Sequence, residues 1–317
     1  MVDVDVTTLP ETHPSLSFTY ARTLDRRLVN RRSVAEVFIT DFHPVSDVEW
    51  IVGAQLPLGH AYYSDHVAMP MRYDPLLILE CCRQAGTYGG YAQFGIPLGT
   101  VNMVSSLVLS IDPAKLHART DRPGHLVIHV LATDIVQVGA RTRSAKPRMT
   151  LYLDGKRLGN AAIPVNLASP EQFSALRSRM RQGPPAFTHD MEEPSEPVVD
   201  PLHVGRRREL NVLIAGARRT ADGESATLRL SPLNTSILDH DHDHIPAMAL
   251  ADSAVQLATW GTGIQRHAIS SLEAKFTRFT EVDSPAHLDG GLIAEKQYRV
   301  IFEQNDVCTG SIDLAFR

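Results

Sequence analysis

The sequence predicts an α+β protein made of two similar units, each with an antiparallel sheet wrapped around one central helix. Three observations lead to this prediction. An apolar, helix-like stretch occurs twice, strand-like runs follow each copy, and a proline-rich segment separates the two copies. With 317 residues, the chain is long enough for two domains that each bury a hydrophobic core.

The first copy of the helix is predicted at residues 74–89. It opens with an acid that can cap it and a proline that suits the first helical position. Its apolar middle carries Glu80, Arg83 and Gln84, which helical spacing places on one side. Burying an acid and a guanidinium costs several kcal/mol unless the groups pair or serve a function. The stretch is therefore either a core helix with an internal ion pair or the wall of an active site.

The second copy, residues 246–261, aligns with the first copy without a gap. Asp252 takes the place of Glu80, and Gln256 takes the place of the glutamine. Val255 stands where the first copy has its arginine, so a purely structural ion pair is less expected at Asp252 than at Glu80. The similarity extends on both sides of the helix, which indicates duplication of a domain-sized unit.

The remaining elements of the first unit are mostly strands. They are predicted at residues 33–40, 49–56, 101–111, 125–138, 148–153 and 157–165. Asp154-Gly155 is a typical hairpin turn between the last two. Residues 59–73 are predicted to form a loop that leads into the helix, and we expect the helix to end near Gly89-Gly90.

A linker with six prolines and an acidic pair follows at residues 169–205, with one short helix from Pro170 to Arg181. The strands of the second unit are predicted at residues 209–214, 225–230, 269–278, 296–304 and 307–316. An antiparallel sheet around one helix is the hotdog arrangement, so the predicted fold is a tandem (double) hotdog. We expect an N-terminal lead over residues 1–25 and hotdog domains over residues 26–168 and 206–317.

Composition excludes several classes of protein. The net charge of −5 gives no general attraction to nucleic acid. The three cysteines include Cys81 and Cys82, which are adjacent in an apolar helix and cannot easily form a disulfide framework or a zinc site. No apolar run is long enough to span a membrane. We therefore expect a cytoplasmic protein without nucleic-acid or membrane partners.

Histidines on the loop before each helix indicate acid–base chemistry. His66 precedes Glu80, and the DHDHDH loop at residues 239–244 precedes Asp252. This spacing resembles that of the β-hydroxyacyl carrier-protein dehydratases, in which the histidine and the acid come from different hotdog units. By that resemblance, His66 pairs with Asp252, and His240 or a neighbour pairs with Glu80. An acid against apolar walls has a raised pKa, which suits it to proton transfer near neutral pH.

Simpler explanations stay open for the same residues. The DHDHDH loop has metal-ligating residue types, but alternate residues in a loop have no fixed facial geometry, so no metal site is predicted. The loop can also be a solvated polar segment. Glu80 can be a purely structural partner of Arg83.

Four segments together resemble the AfsA-type (A-factor biosynthesis) family. They are residues 28–41, residues 74–84, residues 243–246 with Met248, and residues 276–279. Members of that family have two tandem hotdog domains and move a β-ketoacyl group from acyl carrier protein to the hydroxyl of dihydroxyacetone phosphate. The products lead to γ-butyrolactone, butenolide or furan signalling molecules in actinomycetes such as Streptomyces.

The resemblance implies an acyltransferase without a cofactor, which takes a β-ketoacyl carrier protein or acyl-CoA and dihydroxyacetone phosphate. It implies a monomer, as a pseudo-dimer of hotdogs, or a homodimer. The predicted catalytic residues are Glu80, Asp252, His66 and His240. The predicted substrate- and phosphate-binding residues are Arg83, Arg72, Gln84, Gln256 and His244. We expect the acyl chain to lie in the groove between the two central helices.

The sequence also departs from the family pattern. Asn30 stands where the family usually has histidine, and the second unit has a shortened acid at Asp252 and no arginine at Val255. These changes indicate that the second site has changed its substrate or lost activity. Two other classes stay open: a hotdog dehydratase or thioesterase, and a non-catalytic homologue that only binds a ligand.

Overall fold

A computed structural model describes residues 16–181 and 183–317 of the chain. The helices in this part are α1 (Pro75–Phe94), α2 (Pro170–Met180) and α3 (Ala247–Thr262). The strands of the first half are β1 (Ile39–Ser46), β2 (Glu49–Leu56), β3 (Val101–Val104), β4 (Ser106–Ile111), β5 (Gly124–Val138), β6 (Arg141–Leu153), β7 (Lys156–Ala162) and β8 (Val165–Ala168). Those of the second half are β9 (Ile214–Arg219), β10 (Glu224–Leu228), β11 (Ile269–Phe276), β12 (His287–Ala294), β13 (Gln297–Gln304) and β14 (Val307–Phe316).

The strands form one continuous antiparallel sheet. Its order is β1-β2-β5-β6-β7-β4-β11-β14-β13-β12-β10-β9, and the short strands β3 and β8 pair beside this path. The two halves meet where β4 pairs with β11, with Leu109 opposite Leu272. Helix α1 contacts strands of the first half, α3 contacts strands of the second half, and the two helices also contact each other. Each half is therefore a sheet packed against one central helix, as the sequence predicts.

Several elements match their predicted bounds closely. Strands β2 and β14 have the predicted ends, and α2 ends one residue before the predicted one. Asp154-Gly155 forms the expected turn, with both residues at positive φ. Within residues 16–181 and 183–317, none of the helices combines the length and the apolar character that a membrane span requires. The predicted lead falls mostly outside the described residues, and the predicted division into two domains and a linker stays a prediction.

The predicted end of the central helix is wrong. Helix α1 continues past Gly89-Gly90 to Phe94 and ends at Gly95, which has a left-handed conformation. A Cβ atom at Gly89 would lie 2.1 Å from Trp50. The glycine therefore allows close packing of the helix on β2 and is not a stop signal.

Two predicted strands begin later than expected. Residues 34–36 and 209–211 form 3-10 turns, so β1 starts at Ile39 and β9 starts at Ile214. Strand β12 was not predicted, because Asp289, Gly290 and Gly291 are poor strand formers. Gly290 is required by packing there, since a Cβ atom would lie 2.6 Å from the Tyr298 hydroxyl oxygen.

Candidate active site

Glu80 lies at the centre of a buried ion-pair network on α1. Its Oε1 atom accepts hydrogen bonds from Nη2 of Arg31, Nη2 of Arg83 and Nε2 of Gln84, each at 2.7 Å. Its Oε2 atom accepts a further bond from Nε of Arg83 at 2.8 Å. Burial alone would raise the pKa of Glu80, but the charges and hydrogen bonds of Arg31 and Arg83 lower it to about 2. The expectation of a raised pKa at Glu80 is therefore wrong.

Arg31 reaches Glu80 because the chain turns sharply just before it. A 3-10 turn at residues 26–29 ends at Asn30, which has a left-handed conformation that asparagine tolerates better than most residues. The backbone N–H of Arg31 then donates to the carbonyl of Arg26 at 2.9 Å. The sequence analysis did not assign a role to Arg31. The same turn, with an aspartate cap and a left-handed residue at its end, occurs again at residues 200–206 directly before Arg206. This repeat could have indicated that the two arginines have equivalent roles.

Asp252 lies in a second buried network at the equivalent place on α3. It accepts hydrogen bonds from Arg206, from the hydroxyl of Tyr62 and from Nη2 of Arg266, the last at 2.8 Å. Burial alone would raise the pKa of Asp252, but the charges of Arg206 and Arg266 outweigh this effect and lower the pKa to about 2. The expectation that an ion pair is less favoured here is wrong, because arginines outside α3 replace the one absent at Val255.

Gln84 and Gln256 tie each helix to the turn that precedes the first strand of its half. Both Nε2 donors of Gln84 are used, by Glu80 and by the carbonyl of Glu36 at 2.7 Å. Gln256 donates in the same way to Asp252 and to the carbonyl of Asn211. The structure therefore gives these two side chains internal partners, and neither lines the large cavity described next. Their predicted role in substrate binding stays a prediction.

A cavity of about 950 Å³ lies on the Glu80 side of the molecule. Of the predicted site residues, only Arg83, His240 and His244 line it. Glu80 and Asp252 are fully buried, and neither of them lines the cavity. The cavity is lined by residues of α1, α2, the loop before α3 and the start of α3, so part of it borders both central helices. That the acyl chain lies between these helices stays a prediction.

The loop at residues 239–244 crosses from the second half to the arginines around Glu80. Asp239 accepts hydrogen bonds from the backbone N–H groups of Arg32 at 2.7 Å and Ser33 at 2.8 Å. Its carboxylate also lies 4.0 Å from Nη1 of Arg31. The structure therefore brings the histidine loop of one half to the acid centre of the other half, as the predicted pairing of His240 with Glu80 requires.

Three histidines of this loop line the cavity one after another. The ring centroids of His240 and His242 are 4.1 Å apart, and those of His242 and His244 are 6.4 Å apart. Burial, together with electrostatic repulsion from the neighbouring histidine rings and from Arg31 and Arg83, lowers the pKa of His242 to about 3. His242 therefore stays neutral near pH 7.

His244 is the histidine whose orientation is fixed. Its Nδ1 atom lies 2.6 Å from Oδ1 of Asp243, and its ring packs against Phe279 at 4.9 Å. The other oxygen of Asp243 accepts a hydrogen bond from Nε of Arg177 at 2.8 Å. A carboxylate beside Nδ1 holds the proton there, which leaves Nε2 as the free basic nitrogen. Arg177 comes from α2, inside the predicted linker, and the sequence analysis assigned it no role.

His66 and Arg72 lie in a different place. They border a separate cavity of only about 60 Å³. Nη1 of Arg72 donates to the carbonyl of Pro113 at 2.9 Å, and Nδ1 of His66 accepts from the backbone N–H of Ala68 at 3.3 Å. The structure therefore does not bring Arg72 to Arg83, so the predicted shared phosphate site is not formed. Within the described residues, no cluster of His, Cys, Asp or Glu has the arrangement of a metal site.

The two helices also differ at their N-termini. Asp74 caps α1 by accepting from the backbone N–H of Leu76, and Arg266 binds the same carboxylate. Helix α3 begins after Pro246, whose side chain makes no capping hydrogen bond, and its first residues, Ala247 and Met248, line the large cavity. One end of the cavity therefore combines the uncapped start of α3, the histidine loop and the arginines held by Glu80.

These features define a double-hotdog protein with two buried acid centres. The centre around Glu80 is open, because its Arg83 and the histidine loop of the other half line the large cavity. The centre around Asp252 is closed, because Asp252, Arg206 and Arg266 are buried and do not line that cavity. The chain belongs to the AfsA family: the family model described as the A-factor biosynthesis hotdog domain matches residues 14–167 and 188–312. Both the predicted family and the predicted fold are thereby confirmed.

Relatives and a solved structure agree with this assignment. The chain is 28% identical over 291 residues to a 2-oxo-3-(phosphooxy)propyl 3-oxoalkanoate synthase from Streptomyces virginiae, covering 90% of this chain and 94% of the relative. It is 23% identical over 258 residues to a synthase of the same name from Streptomyces coelicolor, covering 81% and 78%. The dehydratase domain from the CurF module of curacin polyketide synthase matches 88% of this chain and 98% of its own, with 11% identity and a TM-score of 0.51. That likeness concerns the fold alone.

Proposed function

We propose that this chain transfers a β-ketoacyl group from a carrier-protein or coenzyme A thioester to the hydroxyl of dihydroxyacetone phosphate. The product is a 2-oxo-3-(phosphooxy)propyl 3-oxoalkanoate, a precursor of γ-butyrolactone-type signals. This product is the one that gives the two Streptomyces relatives their name. The observation that carries the reaction to this chain is the cavity end where Arg83, the histidine loop and the start of α3 meet.

Arg83 is the proposed phosphate ligand. Its Nε and Nη2 atoms are held by Glu80 and by the carbonyl of Val29, at distances of 2.7 to 3.2 Å. Among the described residues, its Nη1 atom has no hydrogen-bond partner, and the side chain lines the cavity. A guanidinium fixed on one edge presents its other edge to a phosphate with little loss of conformational entropy. Arg31 and Arg32 add positive charge to the same wall.

In this proposal Glu80 is a positioning residue and not the proton carrier. A carboxyl group with a pKa of about 2 stays ionised at neutral pH and holds its arginines in place. His244, oriented by Asp243, is the proposed general base. The closed centre around Asp252 is proposed to be structural, so each chain has one active centre.

The proposed reaction is a single acyl transfer. Nε2 of His244 removes the proton from the acceptor hydroxyl, and the resulting oxygen attacks the thioester carbonyl. The free N–H groups at the start of α3, from Ala247 and Met248, stabilise the negative charge that develops on the carbonyl oxygen. The carbon–sulfur bond then breaks, and His244 returns the proton to the leaving thiolate.

A pair of arginine variants tests the phosphate site. We expect Arg83→Gln to lower kcat/KM for dihydroxyacetone phosphate by about 10- to 100-fold, which corresponds to the loss of one charge-assisted hydrogen bond. Transfer to unphosphorylated dihydroxyacetone is expected to change by less than about threefold, because that acceptor has no phosphate to lose. Arg72→Gln is the matched control and is expected to behave as wild type. Equal losses with both acceptors in Arg83→Gln would contradict the proposed phosphate role.

A further inference from the structure

The large cavity follows one face of α1. Arg83, Gly86, Gly90 and Phe94 line it at steps of three or four residues, with Cys82, Thr87 and Tyr91 beside them. At about 1.5 Å per residue, the distance along the helix from Arg83 to Phe94 is about 16 Å. The space is therefore a channel that runs away from the proposed phosphate ligand along the second half of the helix.

The two glycines of this face are not explained by backbone conformation. Gly86 and Gly90 lie inside the helix without positive φ, where glycine costs about 1 kcal/mol relative to alanine. Gly89 is explained by its contact with Trp50, but Gly86 and Gly90 face the channel. The nearest atom to an added Cβ would be a terminal methyl, of Met149 at Gly86 and of Ile96 at Gly90, each at 3.2 Å. Their effect is to widen the channel.

The walls around these glycines are apolar. Away from the arginines, side chains of β2, the end of α1 and the β6–β8 region line this part of the channel: Trp50, Phe94, Ile96, Pro147, Ile163 and Val165. An extended hydrocarbon chain advances by roughly 1.25 Å for each carbon–carbon bond of about 1.5 Å. The length from Arg83 to Phe94 therefore corresponds to roughly a dozen carbon–carbon bonds, which the acceptor bound at Arg83 and the acyl chain beyond it share.

We propose that Gly86 and Gly90 determine the length of the acyl chain that the channel accepts. This inference rests on the proposed acyl transfer, and it names two residues that set the chain length of the donor. Gly86 lies about 4 to 5 Å and Gly90 about 10 Å along the helix from Arg83. The two glycines are about 6 Å apart along the helix, so a bulky side chain at Gly86 shortens the accepted acyl chain by roughly five carbons more than one at Gly90 does.

The test compares Gly90→Leu, Gly86→Leu and the control Ala92→Leu with wild type across β-ketoacyl carrier proteins of increasing chain length. Ala92 lies on the exposed side of α1 and does not line the channel. We expect Gly90→Leu to keep short-chain transfer within about threefold and to lose about 100-fold with the longest donors. Gly86→Leu is expected to lose activity at shorter lengths still, and Ala92→Leu to keep the wild-type profile. If Gly86→Leu does not fold, Gly86→Val and Gly90→Val provide the same graded comparison.

A binding measurement separates this inference from the proposed reaction. Trp50 lines the channel and Trp260 does not. In a Trp260→Phe background Trp50 is the one tryptophan of the sequence, so quenching of its fluorescence by β-ketoacyl-pantetheine thioesters reports chain binding without turnover. Affinity that rises with chain length in wild type and stops rising earlier in Gly90→Leu supports the inference, even if no acyl transfer is found. A chain-length profile that is the same in wild type and in the folded glycine variants overturns it. An equal loss at every chain length in those variants also overturns it.

Discussion

Removing the charge from each buried carboxylate separates its structural role from its chemical role. Glu80→Gln leaves Arg31 and Arg83 without their shared counter-charge, and Asp252→Asn does the same to Arg206 and Arg266. Leaving a charge buried without its partner costs about 3–5 kcal/mol.

The pKa values give an independent magnitude. A shift in the pKa of Glu80 from 4.5 to about 2 corresponds to about 3 kcal/mol, and one from 3.8 to about 2 at Asp252 to about 2 kcal/mol. We therefore expect each substitution to lower the free energy of unfolding by about 2–4 kcal/mol, because the new amide still accepts one hydrogen bond.

The two variants are expected to differ in activity. Urea unfolding followed by tryptophan fluorescence gives the folded fraction, and acyl transfer is measured under conditions where both variants are folded. Glu80→Gln is expected to lose at least about 100-fold in kcat/KM for dihydroxyacetone phosphate, since Arg83 is no longer held. Asp252→Asn is expected to transfer at the wild-type rate per folded molecule. Wild-type transfer by Glu80→Gln, or abolished transfer by folded Asp252→Asn, would refute the assignment of one open and one closed centre.

Three further predictions follow from the same contacts. Glu80 and Asp252 have lowered pKa values, so their contribution to the free energy of unfolding is complete above about pH 4.5 and is lost as the pH falls towards 2. Urea unfolding should show this decline, and a constant free energy of unfolding from about pH 5 to about pH 3 would contradict it. His244→Asn should lower kcat by at least about 100-fold with little change in KM for the acceptor, whereas His66→Asn should have no effect on steady-state kinetics. Arg177→Lys should lower kcat by about tenfold, because lysine cannot bind Asp243 and Glu281 at the same time and Asp243 would orient His244 less well. An unchanged kcat would show that Arg177 of α2 has no role in catalysis.

The sequence was most informative where structure is local or repeated. The duplicated helix, the acid within it and the histidine loop before it follow from periodicity and spacing, and β2 and β14 follow from strand propensity. The end of α1 was predicted wrongly at Gly89 because glycine often ends a helix. Here the glycine is needed for close packing against another part of the chain. Its neighbour in space, Trp50, lies on a strand far along the chain.

The electrostatics of the site could not be predicted from the sequence. The arginines that lower the pKa of the two acids include Arg31, which is 49 residues from Glu80, and Arg206, which is 46 residues from Asp252. No periodic pattern connects such distant positions, so Glu80 was expected to have a raised pKa. Arg177 was overlooked for a related reason, since a proline-rich segment gives no sign that one of its side chains is buried beside Asp243.

Mass spectrometry of the purified protein with a β-ketoacyl carrier protein, with and without dihydroxyacetone phosphate, tests the proposed acyl transfer most directly. The structure and the family predict a phosphorylated β-ketoester that forms only when the acceptor is present. Free acid or a dehydrated acyl group formed without the acceptor would contradict the proposal in favour of a thioesterase or dehydratase. Bound donor with no turnover in either mixture would contradict it in favour of a ligand-binding protein.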